Sequence, residues 1–391
     1  MKLRSFLFLA AISAALAATA PLESARRPRY GGALRVEIGA VIRSLDPAAA
    51  PANPEEAAAK EQIDALIYGH RNSDGTFAGA AGSGPFRIGE WEAGKRVVLN
   101  ANEGFHDGRP FLDSVEIQME RAPRDRILDL VLGKADFAEI PAEQARSAAE
   151  SGVRTSASQP DELLALIFLP GRPATEDVRV REALSRSVDR AALVNFLLQK
   201  EGEPAGGLLP QWSSGTAFLF LTAADPAGAK ELYSQIAAPP KIVLGYDFAG
   251  GLEETVAERI VVDAREAGIG ISLAAQPPRG SALGNPSIPA SIFDAMLIRW
   301  RMPSPNPRDA LADFLKVFGP MAGLEAAPLP DPASPEQCYA RERAAVSSYR
   351  IIPLVWLPQV YGLGARVRDW KAPAPGEGWP LADVWLEGDA P

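Results

Sequence analysis

The side chains that could do chemistry in this 391-residue chain are few and badly spaced for catalysis. It has two histidines, His70 and His106, and one cysteine, Cys338. No HExxH, CxxC or His-rich cluster occurs, so a dedicated metal site is not expected. Gly82-Ser83-Gly84 is out of frame for a nucleophile elbow and lacks the buried strand that would present its serine. There is no G-x-x-x-x-G-K-[ST] run, and Gly268-Ile-Gly270 lacks a third glycine and leads into a strand, so no nucleotide loop is read. Forty-nine carboxylates would allow many acid pairs, but spacing favours none of them. No catalytic residue, cofactor or metal ligand is nominated. The most suggestive cluster is Arg299-Trp300-Arg301 at the end of an apolar run. An indole between two guanidiniums can stack on a ligand or bind a carboxylate; it can equally be a strand-end Trp packed beneath surface arginines.

The elements that would position such a site read as mixed α/β. Gly82 to Pro85 is a turn, Phe86 to Trp91 a strand, Glu92 to Lys95 a hairpin loop, and Arg96 to Asn100 its return. A third strand follows within Leu112 to Met119. Leu163 to Leu169 is apolar throughout, as a strand covered on both faces would be. Asp177 caps a helix whose buried face is expected to include Val178, Ala183, Leu184 and Val188. The acids and arginines of the Asp177–Arg190 stretch read as ion pairs along a partly solvated helix. Lys241–Tyr246, Leu252–Gly268 and Ile269–Ala274 form a strand–helix–strand unit.

Composition narrows the class. Forty basic residues face 49 acidic ones, a net charge of −9, which excludes nucleic acid and anionic membrane surfaces as natural partners. Residues 1–17 have the basic start, apolar middle and Ala15-Leu-Ala17 ending of a cleavable signal peptide. No cysteine follows that would carry a lipid. Export and a periplasmic location are therefore expected, and a lone Cys338 rules out an intramolecular disulfide. The length exceeds what one hydrophobic core usually serves, so two lobes are expected.

Several blocks resemble extracellular solute-binding family 5, the oligopeptide-, dipeptide- and nickel-binding receptors of bacterial ABC importers. Gly82–Ile117 is similar to "GTGPY…EW.PG..I.L..N..Y..G.P.LD.V". Asp177–Arg190 resembles "D.RVR.AL.YAIDR". Phe293–Trp300 looks like "FD..L.GW", and Tyr30–Glu37 with Leu45-Asp-Pro47 resembles the family's opening. The resemblance implies a two-lobed periplasmic-binding-protein fold of type II, peptide-binding class. Lobe I would comprise residues 30–172 plus 352–391 and lobe II residues 173–351, with the family's small accessory lobe missing near 70–81. It further implies a non-catalytic role: a monomer holding a small solute or peptide in an interlobe cleft and delivering it to an inner-membrane ABC permease. A sensory or protein-interaction receptor of the same fold and an exported hydrolase are the alternatives. By the same resemblance Trp300, Arg299, Arg301, Asp309, Phe168 and Tyr246 line the ligand. Two departures stand out: Arg301 and Pro303 hold the ground of an acid that in the family pairs with a peptide ammonium, and Leu169 replaces a cleft Asn.

Overall fold

The computed structural model describes residues 27–69, 82–215, 219, 221–247, 251–276, 292–325 and 328–388. The signal-peptide reading and the expected gap at 70–81 lie outside these residues. The strands, in chain order, are β1 (Ala33–Glu37), β2 (Phe86–Glu92), β3 (Arg96–Ala101), β4 (Ser114–Gln118), β5 (Phe137–Ile140), β6 (Arg154–Ala157), β7 (Glu162–Phe168), β8 (Glu203–Pro204), β9 (Lys241–Asp247), β10 (Gly270–Gln276), β11 (Ala295–Arg301), β12 (Ile351–Leu357), β13 (Val360–Leu363), β14 (Val367–Arg368) and β15 (Trp385–Leu386). Seven form one sheet in the order β2-β3-β4-β1-β5-β13-β6, and six form a second, β10-β9-β11-β7-β12-β8.

The block at Gly82 is the antiparallel meander its alternation requires, with Val97, Leu99, Val115 and Ile117 fully buried. Helix α1 (Pro54–Tyr68) is capped by Asn53, whose side chain accepts from the Glu56 N–H. Gly84 lies flat against the end of that helix: a β-carbon there would run into the backbone of Leu66 and Ile67, so only glycine fits. The Gly84 N–H donates to Ile67 O and the Ser83 hydroxyl to Tyr68 O, which ties β2 to the helix before it.

The remaining helices are α2 (Pro123–Val131), α3 (Ala145–Glu150), α4 (Val178–Ser187), the single turns α5 (Arg190–Ala192) and α6 (Gln211–Ser214), α7 (Pro226–Ser234), α8 (Leu252–Glu266), α9 (Pro307–Phe318) and α10 (Pro335–Val346). Asp177 does cap α4. Val178 is 43 % exposed, however, and Val180 takes its place on the buried face. Arg179 and Arg186 make the expected surface pairs, with Asp177 and Glu182. Arg181 and Arg190 do not. Arg190 is fully buried without an acid, donating to Pro353 O, Ser185 O and the Ser185 hydroxyl. Burial pushes its guanidinium down to about 10, which still leaves it charged at neutral pH. Arg181 likewise serves carbonyls, those of Thr175, Glu176 and Ser348. Arg190 thus ties the last turn of α4 to β12, and Arg181 ties the turn before α4 to Ser348, each through carbonyl acceptors.

The expected lobe limits at 172/173 and 351/352 do not coincide with the sheets. β7 and β12 both sit inside the second sheet, paired antiparallel to each other, with β7 also antiparallel to β11. Every residue of β12 is buried, as are all of β7 but Glu162. Segments apolar on both faces belong in the middle of a sheet covered on both sides, which only the second sheet offers them. The chain therefore crosses between sheets at 158–161 and again at 358–359. One apolar cluster is continuous across this junction, from Ala138 and Ile140 to Leu164, Leu357 and Val360.

A charged crevice between the two sheets

Residue alternation along β11 separates the three residues singled out in the sequence. Trp300 faces α9 and is buried at 6 % exposure, edge-on to Phe314 with ring centroids 5.1 Å apart and to Trp356 at 6.2 Å. Its indole N–H donates to Asp313 at 3.0 Å. The packed-Trp alternative is thus the observed one. The acid it meets lies one helical turn beyond Asp309, which instead sits in the first turn of α9 and pairs with Arg308 at 2.6 Å.

Phe168 is fully buried and opposite Ala295 in the β7–β11 register, whereas Glu162, at the other end of β7, is opposite Arg301. Six residues of strand separate them, roughly 20 Å. Phe168 is therefore a core residue at the far end of the sheet. Tyr246 is buried near the end of β9, its hydroxyl donating to Glu254 at 3.1 Å.

Arg299 and Arg301 point to the other face, and there the charge concentrates. Arg299 is 3.0 Å from Glu162 and 3.3 Å from Glu253, the second residue of α8. Arg301 is 3.9 Å from Glu162. Each arginine exposes 34 % of its side chain although protein surrounds it on most sides; the exposed part is the mouth of a crevice. The first sheet contributes the opposite wall. Glu143, three residues beyond β5, lies within electrostatic reach of Arg299, Glu253 and Glu162, and Glu139 of β5 within reach of Arg301.

Burial and neighbours set the protonation of these groups. Burial alone would raise Glu162, but Arg299 and then Arg301 hold it below the usual carboxylate range. Burial raises Glu253 and Glu143, with Arg299 opposing the rise and the neighbouring carboxylates adding to it. Burial tends to strip Arg299 of its proton, yet Glu162, Glu253 and Glu143 together raise it above its ordinary value. One guanidinium thus pairs with two carboxyl groups and lies in the field of a third.

The floor of the crevice is the pair of crossovers. Gln359 bridges them: its amide donates to Asp161 at 2.6 Å and its carbonyl accepts from the Tyr361 hydroxyl at 2.9 Å. The Ser158 N–H donates to Gln359 O, and the Asp161 N–H to Leu357 O. Asp161, 1 % exposed, is pushed up to about 6 by burial, with Arg301 and Gln359 opposing. A second contact between the sheets lies at Pro303, where the backbone of Gly376 closes on the Pro303 carbonyl with φ at +76°. The position where the resemblance calls for an acid is thus a packing point against the returning C-terminal segment.

Sequence reasoning reached Arg299 and Arg301 but missed Glu143, Asp161, Glu162, Glu253 and Gln359. Asp161-Glu162 carried a readable signal, since two acids open an otherwise wholly apolar strand. Glu143 and Glu253 carried none, because their meeting depends on how the two sheets dock. Among the described residues no cluster of metal-ligating side chains occurs. A cavity of about 20 Å³ between Glu342 and Trp356 has room for one water, and a groove of about 300 Å³ runs beside Leu130, Arg154 and Arg368. Neither is lined by the charged residues of the crevice.

A family model, bacterial extracellular solute-binding proteins, family 5 Middle, matches residues 45–320, well over half of the chain. The chain belongs to this family. Among curated relatives, the oligopeptide-binding protein AppA of Bacillus subtilis is 30 % identical over 127 residues, covering 32 % of this chain and 23 % of AppA. The probable D,D-dipeptide-binding periplasmic protein DdpA of Escherichia coli is 27 % identical over 133 residues, 34 % of this chain and 26 % of DdpA. The aligned stretches thus span only about a quarter of these relatives' length. The ABC transporter substrate-binding protein CtaP of Listeria monocytogenes superposes with a TM-score of 0.76 at 16 % identity, covering 92 % of this chain and 100 % of CtaP. The structure of Bacillus subtilis AppA in complex with a nonapeptide gives 0.63 at 13 % identity, over 93 % and 100 % of the two chains. At these identities the superpositions establish the fold, two-lobed and of the family-5 substrate-binding type.

Proposed function

We propose that this protein is the solute-capturing component of an ABC importer, holding a small, peptide-like solute in the crevice between its sheets. The observation that carries this reading is the cluster of Glu143, Glu162, Glu253, Arg299 and Arg301. It is drawn from both sheets and stands directly over the two chain crossovers. Ionic groups held half-desolvated at a lobe junction stabilise a fold poorly, since desolvation offsets much of their attraction. They suit recognition, where a solute's own groups complete the pairing. Two strand-to-strand crossovers joined by Gln359 are the natural place for a closing motion of the hinge class.

Family membership supports a solute-binding role, and the likeness to an ABC transporter substrate-binding protein supports docking on a membrane permease. The leader-like residues 1–17 and the family's extracellular setting support a periplasmic location. Among the described residues no helix is long and apolar enough to cross a membrane. The chemistry at the crevice gives no nucleophile–base pair, and the reading involves no catalysis. A monomer suffices, since both walls come from one chain.

The test is a thermal-shift screen of the exported protein with dipeptides, oligopeptides, amines, metal chelates and sugars. A solute at a hundred times its dissociation constant adds about 2.7 kcal/mol of stability. A shift that vanishes in Arg299→Met supports the crevice as the site. Shifts untouched by that substitution, or none with any class, would remove the basis for this reading.

A further inference from the structure

We propose that the groove beside α2 is a second ligand site, one that takes a carboxylate carried on an apolar body and anchors it at Arg154. The groove measures about 300 Å³ and opens where β6, the edge strand of the first sheet, meets α2 and the end of β13. β13 runs from Val360, next to Gln359 on the crevice floor, to Leu363 in the groove wall, so roughly 10 Å of strand separates the two places. The walls of the groove belong to the first sheet and the segments packed on it, so the proposal stands independently of the reading of the crevice.

The floor is apolar: Leu130, Val153 and Leu363 are buried, and the exposed Val131 forms the rim. Leu128 and Leu132 stand beside Val131 on the same helical face and are exposed too, so apolar surface continues past the groove mouth. Two guanidiniums line the same groove. Arg368 donates to Ala365 O at 2.6 Å and pairs with Glu387. Arg154 makes no ion pair among the described residues, and its hydrogen bond there goes to Val367 O. Burial, and then the neighbouring Arg368, push its guanidinium down from its ordinary value. Beyond the same turn of chain, Arg35 and Arg366 share the one carboxylate of Asp136, with Glu116 in the field of Arg35. Positive charge is thus in excess at this end of the first sheet, on a chain whose net charge is −9.

A guanidinium carries five N–H donors in a fork that fits a carboxylate through two parallel bonds. Val367 O occupies one donor of Arg154, and the rest of the fork can close on an incoming carboxylate. Such an anion also relieves the repulsion between Arg154 and Arg368, while its apolar body covers Val131 and the groove floor. An alcohol of the same shape gains the apolar contact alone. An ammonium is repelled, and a zwitterion carries its own ammonium into the same positive field. The volume lies at the lower end of small-molecule sites, which suits a single ring or a short chain.

The experiment is isothermal calorimetry on the protein with three probes of one shape: 4-phenylbutyrate, 4-phenylbutan-1-ol and 4-phenylbutylammonium. Phenylbutyrate is expected to bind about ten-fold more tightly than the alcohol and more tightly still than the ammonium. Arg154→Met, which keeps the apolar stem and removes the charge, should weaken it about ten-fold. Val131→Glu sets a like charge on the rim and tests the same site should the first variant fold poorly. Arg146→Gln, at an exposed pair with Glu150 on α3, should leave binding unchanged. Equal binding of the three probes, or tighter binding of the ammonium, would overturn the inference. So would phenylbutyrate binding that is indifferent to both Arg154→Met and Val131→Glu, or no binding of any probe. Binding lost in Arg299→Met and kept in Arg154→Met would put the probe in the crevice and overturn the inference while leaving the solute-binding reading intact.

Discussion

Replacing Arg299 by Met keeps the length and apolar stem of the side chain and removes only its charge. Glu162 then loses the 3.0 Å partner that holds its carboxylate ionised, and Glu253 loses its 3.3 Å partner. Removing one member of a buried pair costs about 3–5 kcal/mol. Arg299 is 34 % exposed, so solvent screens part of this, and about 2–3 kcal/mol is a better expectation near pH 8. The loss must depend on pH. In the native protein Glu162 is held below its ordinary value, so its pairing stabilises the fold above the unfolded carboxylate range and is lost as pH falls through the folded value. In the variant that pairing is absent, and Glu162, Glu253 and Glu143 all take up protons more readily. At pH 5 the variant should therefore lie within about 1 kcal/mol of the native protein. Urea unfolding of both proteins at pH 8 and pH 5 measures this directly. A difference below 1 kcal/mol at both values, or one that grows towards pH 5, would refute the account of Arg299 as the shared partner of Glu162 and Glu253.

Three further outcomes follow from single sites. Arg190→Met leaves Pro353 O, Ser185 O and the Ser185 hydroxyl without their donor, and should cost about 2–4 kcal/mol in denaturant unfolding, with little effect on any solute affinity. Glu342 is 2 % exposed and pushed up to about 7 by burial, against the Leu208 and Leu209 N–H groups it accepts from. Its neutral form is the one the fold favours, so its contribution is full below the unfolded carboxylate range and fades as pH rises towards 7. Glu342→Gln should therefore stabilise the protein by about 1–3 kcal/mol at pH 8 and leave it unchanged at pH 4, read from melting curves. Gly376→Ala places a β-carbon against the Pro303 carbonyl at a φ of +76°, and should both lower stability by at least about 1 kcal/mol and increase the radius of gyration in solution scattering. An unchanged radius would count against Pro303–Gly376 as a contact that holds the lobes together.

Much of the fold was legible because it is written in local terms. Strand alternation in β3 and β4, the Asp177 cap, and the strand–helix–strand unit from Lys241 to Gln276 each depend on residues a few positions apart. The lobe limits were not legible in that way. Whether β7 and β12 close one sheet or open the other depends on pairing between segments nearly two hundred residues apart, and apolar periodicity says only that both are covered on each face. The candidate site shows the same division. Trp300 and its flanking arginines drew attention through residue type, but one step of strand alternation sends the Trp into the core and the arginines into the crevice. Phe168 and Asp309 were carried over by resemblance of wording, and the register of β7 and the first turn of α9 place them elsewhere. Glu143 and Glu253 become partners only through the docking of two sheets, which neither local propensity nor spacing encodes.

Native mass spectrometry of the protein, titrated with pools of peptides, amines and metal chelates, tests the central claim most directly. The account predicts a single one-to-one adduct with one class of solute, lost when Arg299→Met and Glu253→Gln are combined and kept in Glu90→Gln, on β2 at an exposed pair with Arg96. An adduct that survives the combined substitution, or the absence of any stoichiometric adduct from every pool, would contradict it.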